Sequence, residues 1–369
     1  MIFWIGMFIL TLFCYGICSQ RYRLKIEKKI VIIYSAVLIF FAGMRSGIGD
    51  TGFYLSWFNK FKSLPIGNLF GTDIKEVGYA FIMSSVGKFT QDPQIYLIFI
   101  AIITIGGVFY VINKYSEDIS ISLLLFMTSG LYLGMMNGIR QYIVVVGLFL
   151  LTNCLIKNKP IIYICVALIL STVHTSALFM IPIFFIVRRK VWKSGTIVLI
   201  GIVSFALFNI NSVLPWIAQL LQKTAYENYS DSLLTDIGSG ANYLRVIVML
   251  VPVFISFLGK KIFDENDMEY RVYSNIMILN AICYLFSARN WIFARLAMYL
   301  HIYIILFYPY VLSKVFTKDS IKIVKILLIV LYSIFFLFEV KNTPYMSYYL
   351  NINTDLIGEF TRGVYSGYW

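Results

Sequence analysis

The chain has 369 residues, is 60% hydrophobic and 17% aromatic with only 13% charged residues, and has a mean hydropathy of +0.80. Ordinary soluble domains carry about a quarter charged residues, so this composition excludes a soluble globular protein and requires a polytopic membrane protein. The net charge of +13, from 31 Lys and Arg against 18 Asp and Glu, does not mark a nucleic-acid binder, because the basic residues are dispersed between apolar runs as in positive-inside loops.

A helix crosses the hydrocarbon with about 20 apolar residues. Residues 2–19 qualify and read as a retained span rather than a signal peptide, since no basic leader precedes them. Arg21, Arg23, Lys25, Lys28 and Lys29 follow and fix the next loop as cytoplasmic. The span 30–44 then delivers Gly43-Met44-Arg45-Ser46-Gly47-Ile48-Gly49-Asp50 to the outer face. Its glycines allow turns that a Cβ would forbid. The aromatic, amphipathic segment 53–64 suits a helix lying in the headgroup layer, and 65–78 is a more polar loop ending near Glu76.

Apolar runs resume at 79–90 and 95–112. Both cannot be full crossings if Lys114 is inside, so 79–90 is expected to be re-entrant or interfacial. Further spans follow at 119–136 and 138–156. Residues 160–187 lie between two basic loops and are too few for two full crossings. A bent pair of short helices is expected there, turning at Ser171-Thr172-Val173-His174-Thr175-Ser176. Such backbone is tolerated at depth only where protein or a water-filled cavity covers it. The remaining spans are 195–210, 243–258, 273–288, 296–313 and 323–339, with an outer turn at Ala288-Arg289-Asn290-Trp291-Ile292-Phe293-Ala294-Arg295. The greater part of the Lys and Arg falls in loops assigned to the inside.

The expected fold is therefore all-α, a polytopic integral membrane protein with about 10–12 transmembrane or re-entrant helices. It forms a single transmembrane domain over 1–369, with outer-face loops 45–78 and 211–242 and an outer tail 340–369. Cys14, Cys18, Cys154, Cys165 and Cys283 all lie within apolar runs, and none forms a CxxC. Neither disulfides nor a zinc site is expected, and no metal or cofactor.

Arg45, Arg140, Arg289 and Arg295 all fall at outer span ends, as do Asp50 and His174. Ionisable residues within a membrane are costly and usually serve a site or a path. Arginine's planar fork suits phosphate, giving two parallel charge-assisted hydrogen bonds. Arginines gathered at one depth therefore point to a pyrophosphate carried by a lipid. The bland readings weigh unequally. Arg45 alone is equally a snorkelling anchor, and Asp50 equally a turn residue. Arg295, set into an apolar run, favours function, as does His174 with its Ser and Thr neighbours; His301 reads as structural.

Gly43-Met44-Arg45 followed by Gly49-Asp50 and Tyr54, then Asn137-Gly138-Ile139-Arg140-Gln141, His174-Thr175-Ser176-Ala177-Leu178 and Arg295-x-x-x-Tyr299, in that order, resemble the EpsG family, related to the Wzy-type polysaccharide polymerases. The resemblance covers nearly the whole chain. It implies a GT-C-like polysaccharide polymerase, a glycosyltransferase that acts without a metal in O-antigen, capsule or exopolysaccharide synthesis. Such a protein transfers a growing glycan from undecaprenyl pyrophosphate to the next lipid-linked repeat unit. The location implied is the bacterial cytoplasmic (inner) membrane, with the active site facing the periplasm or outside.

Combining both lines, His174, Asp50 and Arg295 are the candidate catalytic residues. His174 or Asp50 would act as general base, and Arg140, Arg289 and Arg295 would hold the donor pyrophosphate. Arg45 would position Asp50 or bind the second lipid's phosphate, with Asn137, Gln141, Tyr54 and Tyr299 completing the binding set. The expected partners are the undecaprenyl-pyrophosphate-linked oligosaccharide, the bilayer and a chain-length regulator, but no nucleic acid. An O-antigen-ligase-like transferase and a lipid-linked oligosaccharide flippase stay open as alternatives. The near absence of ionisable residues from the inner halves of the spans disfavours transport.

Overall fold

The computed structural model describes residues 2–19, 24–71, 74–221, 242–317, 319–342 and 348–350. The expected outer loop 211–242 is thus seen only at its ends and the expected tail 340–369 only in part, and Arg21, Arg23 and Lys318 lie outside the described residues.

The described residues form 18 α-helices. The first five are α1 (Ile2–Ser19), α2 (Leu24–Gly43), α3 (Thr51–Phe61), α4 (Val77–Gly87) and α5 (Pro93–Tyr115). Then come α6 (Ile119–Thr128), α7 (Leu131–Asn137), α8 (Ile139–Phe149), α9 (Thr152–Ile156), α10 (Pro160–Ser171) and α11 (Met180–Val187). The rest are α12 (Ser194–Phe208), α13 (Ile210–Leu221), α14 (Tyr243–Gly259), α15 (Met268–Ser287), α16 (Ile292–His301), α17 (Ile304–Val315) and α18 (Ser320–Asn342). The chain is a polytopic all-α membrane protein, as its composition required.

Local chemistry sets the helix starts. The side chain of Asp92 accepts from the Gln94 N–H with Pro93 in the first turn, and Asp118, Asn242 and Asp267 cap α6, α14 and α15 in the same way. Gly130, at φ +87°, lets the chain bend by 50° between α6 and α7. Bends of 97° and 50° join α12 to α13 and α16 to α17. By length and composition α1, α5 and α18 are each long enough to cross a membrane, and each bent pair can serve as one further span.

α6 and α17 are buried almost throughout and form the centre, with α1, α17 and α18 packed on α6. α2 lies along α5, and α15 is held between α14 and α16. Ile9 and Phe13 on α1, Ile161 and Ile169 on α10, Phe205 on α12, Phe254 on α14, and Ile326 and Ile334 on α18 all face outward. An outer surface this apolar is one that lipid covers.

The two irregular stretches read from the sequence are both present. α4 has 11 residues, a rise of about 16 Å that falls well short of the hydrocarbon thickness. Residues 160–187 form α10 and α11, separated by an extended His174 and a single 3-10 turn, Thr175–Phe179. Near the other end of the chain, Tyr349–Leu350 pairs antiparallel with Arg45–Ser46, and the Tyr348 ring stacks on Phe3 at 3.6 Å.

Candidate active site

The turn after α2 is built around Arg45. Its guanidinium is buried and donates to the carbonyls of Ala42 and Met136 (the latter at 3.0 Å) and to Thr51 Oγ1 at 3.2 Å. Thr51 in turn donates to the Ile48 carbonyl. Gly49 sits at φ +46°, and a Cβ there would collide with the Asn137 carboxamide oxygen. That oxygen accepts from the Asp50 backbone N–H at 3.0 Å. Arg45 and Asn137 thus fix the turn to the α7–α8 junction. They leave the exposed Asp50 carboxylate at the start of α3, where it makes no capping hydrogen bond. Arg45 is thus bonded into the turn that carries Asp50.

The centre of the arrangement is Glu76, in the linker before α4. Gly78 makes its placement possible. The Gly78 N–H donates to the Thr172 carbonyl at 2.9 Å, and a Cβ at Gly78 would run into Thr172 Oγ1 and the Val173 nitrogen. This close approach presses the start of α4 onto the break between α10 and α11. Two residues earlier, Glu76 Oε1 lies 2.5 Å from His174 Nδ1, and Glu76 Oε2 accepts from Arg140 Nη1 at 2.5 Å. The side chains are shielded but not sealed, with His174 9%, Glu76 13% and Arg140 25% exposed.

Burial alone would raise the Glu76 carboxyl; the hydrogen bond with His174 and the charge of Arg140 outweigh it and hold it below the usual carboxylate range. An ionised carboxylate only accepts hydrogen bonds. His174 therefore presents Nδ1–H to Glu76, and in the singly protonated ring this tautomer has Nε2 as its acceptor.

Arg140, in the first turn of α8, is also framed by aromatic rings. Its guanidinium carbon lies 5.8 Å from the Phe53 ring, 5.2 Å from Trp57 and 6.0 Å from Tyr79. The neighbouring Tyr54 is buried and interacts with Arg140, Asp50 and Arg295 through their charges. The aromatic face of α3 thus forms one wall around the Glu76 group.

α16 supplies the opposite side. Gln141 Nε2 donates to the Arg295 carbonyl at 2.6 Å, and the hydroxyls of Ser176 and Tyr299 share a hydrogen bond of 2.7 Å. These two bonds tie α16 to α8 and to the turn that carries His174. The Arg295 guanidinium lies over the Trp291 ring at 4.6 Å. Arg289 is exposed on the α15–α16 turn. Ile210, Leu214 and Ala218 of α13 pack on Ile292 beside that turn.

The structure thus joins Arg140 and His174 through Glu76, with Asn137, Gln141 and Tyr299 bonded to the neighbouring turns and Tyr54, Asp50 and Arg295 close by. Glu76, which links the pair, was legible in the sequence only as the end of a polar loop. A second ion pair also escaped sequence reading: Arg245, in the first turn of α14, bridges to Glu339 near the end of α18. A lone Glu inside an apolar run was the signal for it. His301 is buried with Nε2 on the Ser129 carbonyl at 3.0 Å, in keeping with a structural role.

The sequence model of the EpsG family matches residues 28–353, most of the chain. No curated protein and no solved structure matches it.

Proposed function

Since the chain belongs to the EpsG family of Wzy-type polysaccharide polymerases, we propose that it polymerises lipid-linked oligosaccharide repeat units on the outer face of a bacterial cytoplasmic membrane. The observation that carries this reading is the His174–Glu76–Arg140 group, a base and a phosphate-type cation held by one carboxylate. Arg295 and Arg289 stand at the neighbouring turn.

In the proposed reaction, the donor's anomeric C–O bond breaks and undecaprenyl pyrophosphate leaves with the bonding electrons. The acceptor sugar's hydroxyl oxygen forms the new bond to that carbon. Its proton passes to His174 Nε2, while Glu76 stabilises the imidazolium that results. Arg140, Arg295 and the exposed Arg289 neutralise the charge that builds on the departing pyrophosphate. Guanidiniums suit that task because their fork meets two phosphate oxygens at once. Asp50, exposed and close to Tyr54, orients the acceptor sugar through its hydroxyls, and Arg45 holds the turn that presents it. Trp57 and Phe53 offer flat apolar faces against which a sugar ring packs.

The test is the product of purified protein incubated with a lipid-linked repeat unit. A ladder of chain lengths is expected. A single transfer would replace this reading with a ligase, and movement of intact substrate across liposomes without product would replace it with a transporter.

A further inference from the structure

The cytoplasmic loops 188–193 and 260–267 line an open cavity of about 260 Å³, slightly below the range of drug-sized pockets. It lies at the opposite ends of the helices from the Glu76 group by the positive-inside assignment, and no step of the proposed reaction uses it. Lys190, Lys193, Lys260, Lys261 and Arg271 line it against two carboxylates, Asp264 and Glu265. Both Glu265 oxygens are taken by Lys190 (2.9 Å) and Lys193, which draw the Glu265 carboxyl down to about 2. Arg271 is occupied by the Glu265 carbonyl and by Asn266 Oδ1. Lys260 and Lys261 form no ion pair among the described residues. The cavity therefore keeps an excess of positive charge.

The wall is built rather than incidental. Trp192 adopts a left-handed φ of +61°, rare for a residue with a large side chain. It is held there by its backbone N–H on Thr196 Oγ1 and its indole N–H on Ser256 Oγ, both at 3.0 Å. Its ring meets Phe257 edge-on at 5.1 Å. Beside the basic opening, Phe257, Leu258 and Ile262 expose apolar surface. A cationic cavity bordered by a tryptophan and an apolar flank matches a ligand with a phosphate head and acyl chains.

We propose that this cavity binds the phosphate headgroup of an anionic phospholipid of the cytoplasmic leaflet. Lys260 and Lys261 meet the phosphate, and the acyl chains run along the Phe257 and Leu258 side of α14.

The experiment is native mass spectrometry of the purified full chain with phosphatidylglycerol or phosphatidylcholine added. Phosphatidylglycerol adducts are expected to dominate. Each lysine facing a phosphate is worth about fivefold in affinity, so Lys260→Gln/Lys261→Gln should weaken phosphatidylglycerol binding about 25-fold. Lys157→Gln/Lys159→Gln, on another inner loop, should leave it unchanged. Glu265→Gln releases Lys190 and Lys193 and should tighten binding, which keeps the test decisive if the double variant fails to fold. Equal binding of the two lipids, or unchanged binding in both Lys260→Gln/Lys261→Gln and Glu265→Gln, would overturn the proposal. Complete displacement of the lipid by inorganic phosphate would overturn the lipid source and make the site one for a free anion.

Discussion

Glu76→Gln is the substitution that bears most directly on the arrangement. The carboxylate accepts from Arg140 and from His174 at once. A carboxamide has one oxygen and one NH₂, so it can accept from one of these donors and must turn its own N–H groups toward the other. A hydrogen bond to a charged group contributes about 1.5–3 kcal/mol, and the pair is only partly exposed. The expected loss is about 2 kcal/mol of local stability, which leaves the rest of the bundle folded. The effect on turnover should be larger. His174 loses both its orientation and its anionic partner, and positioned general bases contribute about 10²–10⁴-fold. Polymerisation should therefore slow by at least about 10²-fold, equivalent to about 2.7 kcal/mol of barrier. The assay is repeat units added per minute by protein in nanodiscs, with thermal unfolding followed in parallel. Wild-type turnover in a protein of normal stability would refute the reasoning.

Four further outcomes follow from the same geometry. Arg295→Lys keeps the charge but loses the fork, and should lower turnover about 10-fold or more at normal expression; full activity would remove Arg295 from the site. Arg45→Leu leaves the Ala42 and Met136 carbonyls without their buried donor, a cost of about 1–3 kcal/mol for each unsatisfied group, so it should lower the folded yield in detergent chromatography rather than slow a well-folded enzyme. Gly78→Ala, by pushing α4 off the Thr172 turn, should separate Glu76 from His174 and cut turnover while most of the protein stays folded, as read by activity per folded molecule. Because Glu76 is held below the usual carboxylate range, its stabilising contribution is complete above about pH 4.3 and is lost as pH falls through its lower folded value. The difference in unfolding temperature between wild type and Glu76→Gln should therefore hold at neutral pH and close in acid.

Much of the fold was legible because its signals are local. Apolar runs and basic loops marked the spans, the shortness of 79–90 marked α4, and the polar interruption at 171–176 marked the break at His174. Arg140 and His174 stood out as costly charges at span ends. Glu76 did not, because a single carboxylate in a polar loop looks solvated until its partners, 64 and 98 residues further on, are folded against it. The burial of Arg45 was equally hidden. It depends on the Met136 carbonyl, 91 residues away, and no periodicity encodes that contact. The pairing of Tyr349–Leu350 with Arg45–Ser46 is too short to leave a strand pattern.

The most direct test of the account is His174→Asn, assayed for donor binding and chain growth in the same preparation. The variant should bind the lipid-linked donor within about twofold of wild type, since Arg140, Arg289 and Arg295 remain, and should lose the product ladder by about 10²-fold or more. A ladder formed at the wild-type rate would contradict the central claim that His174, held by Glu76, takes the proton of the attacking sugar.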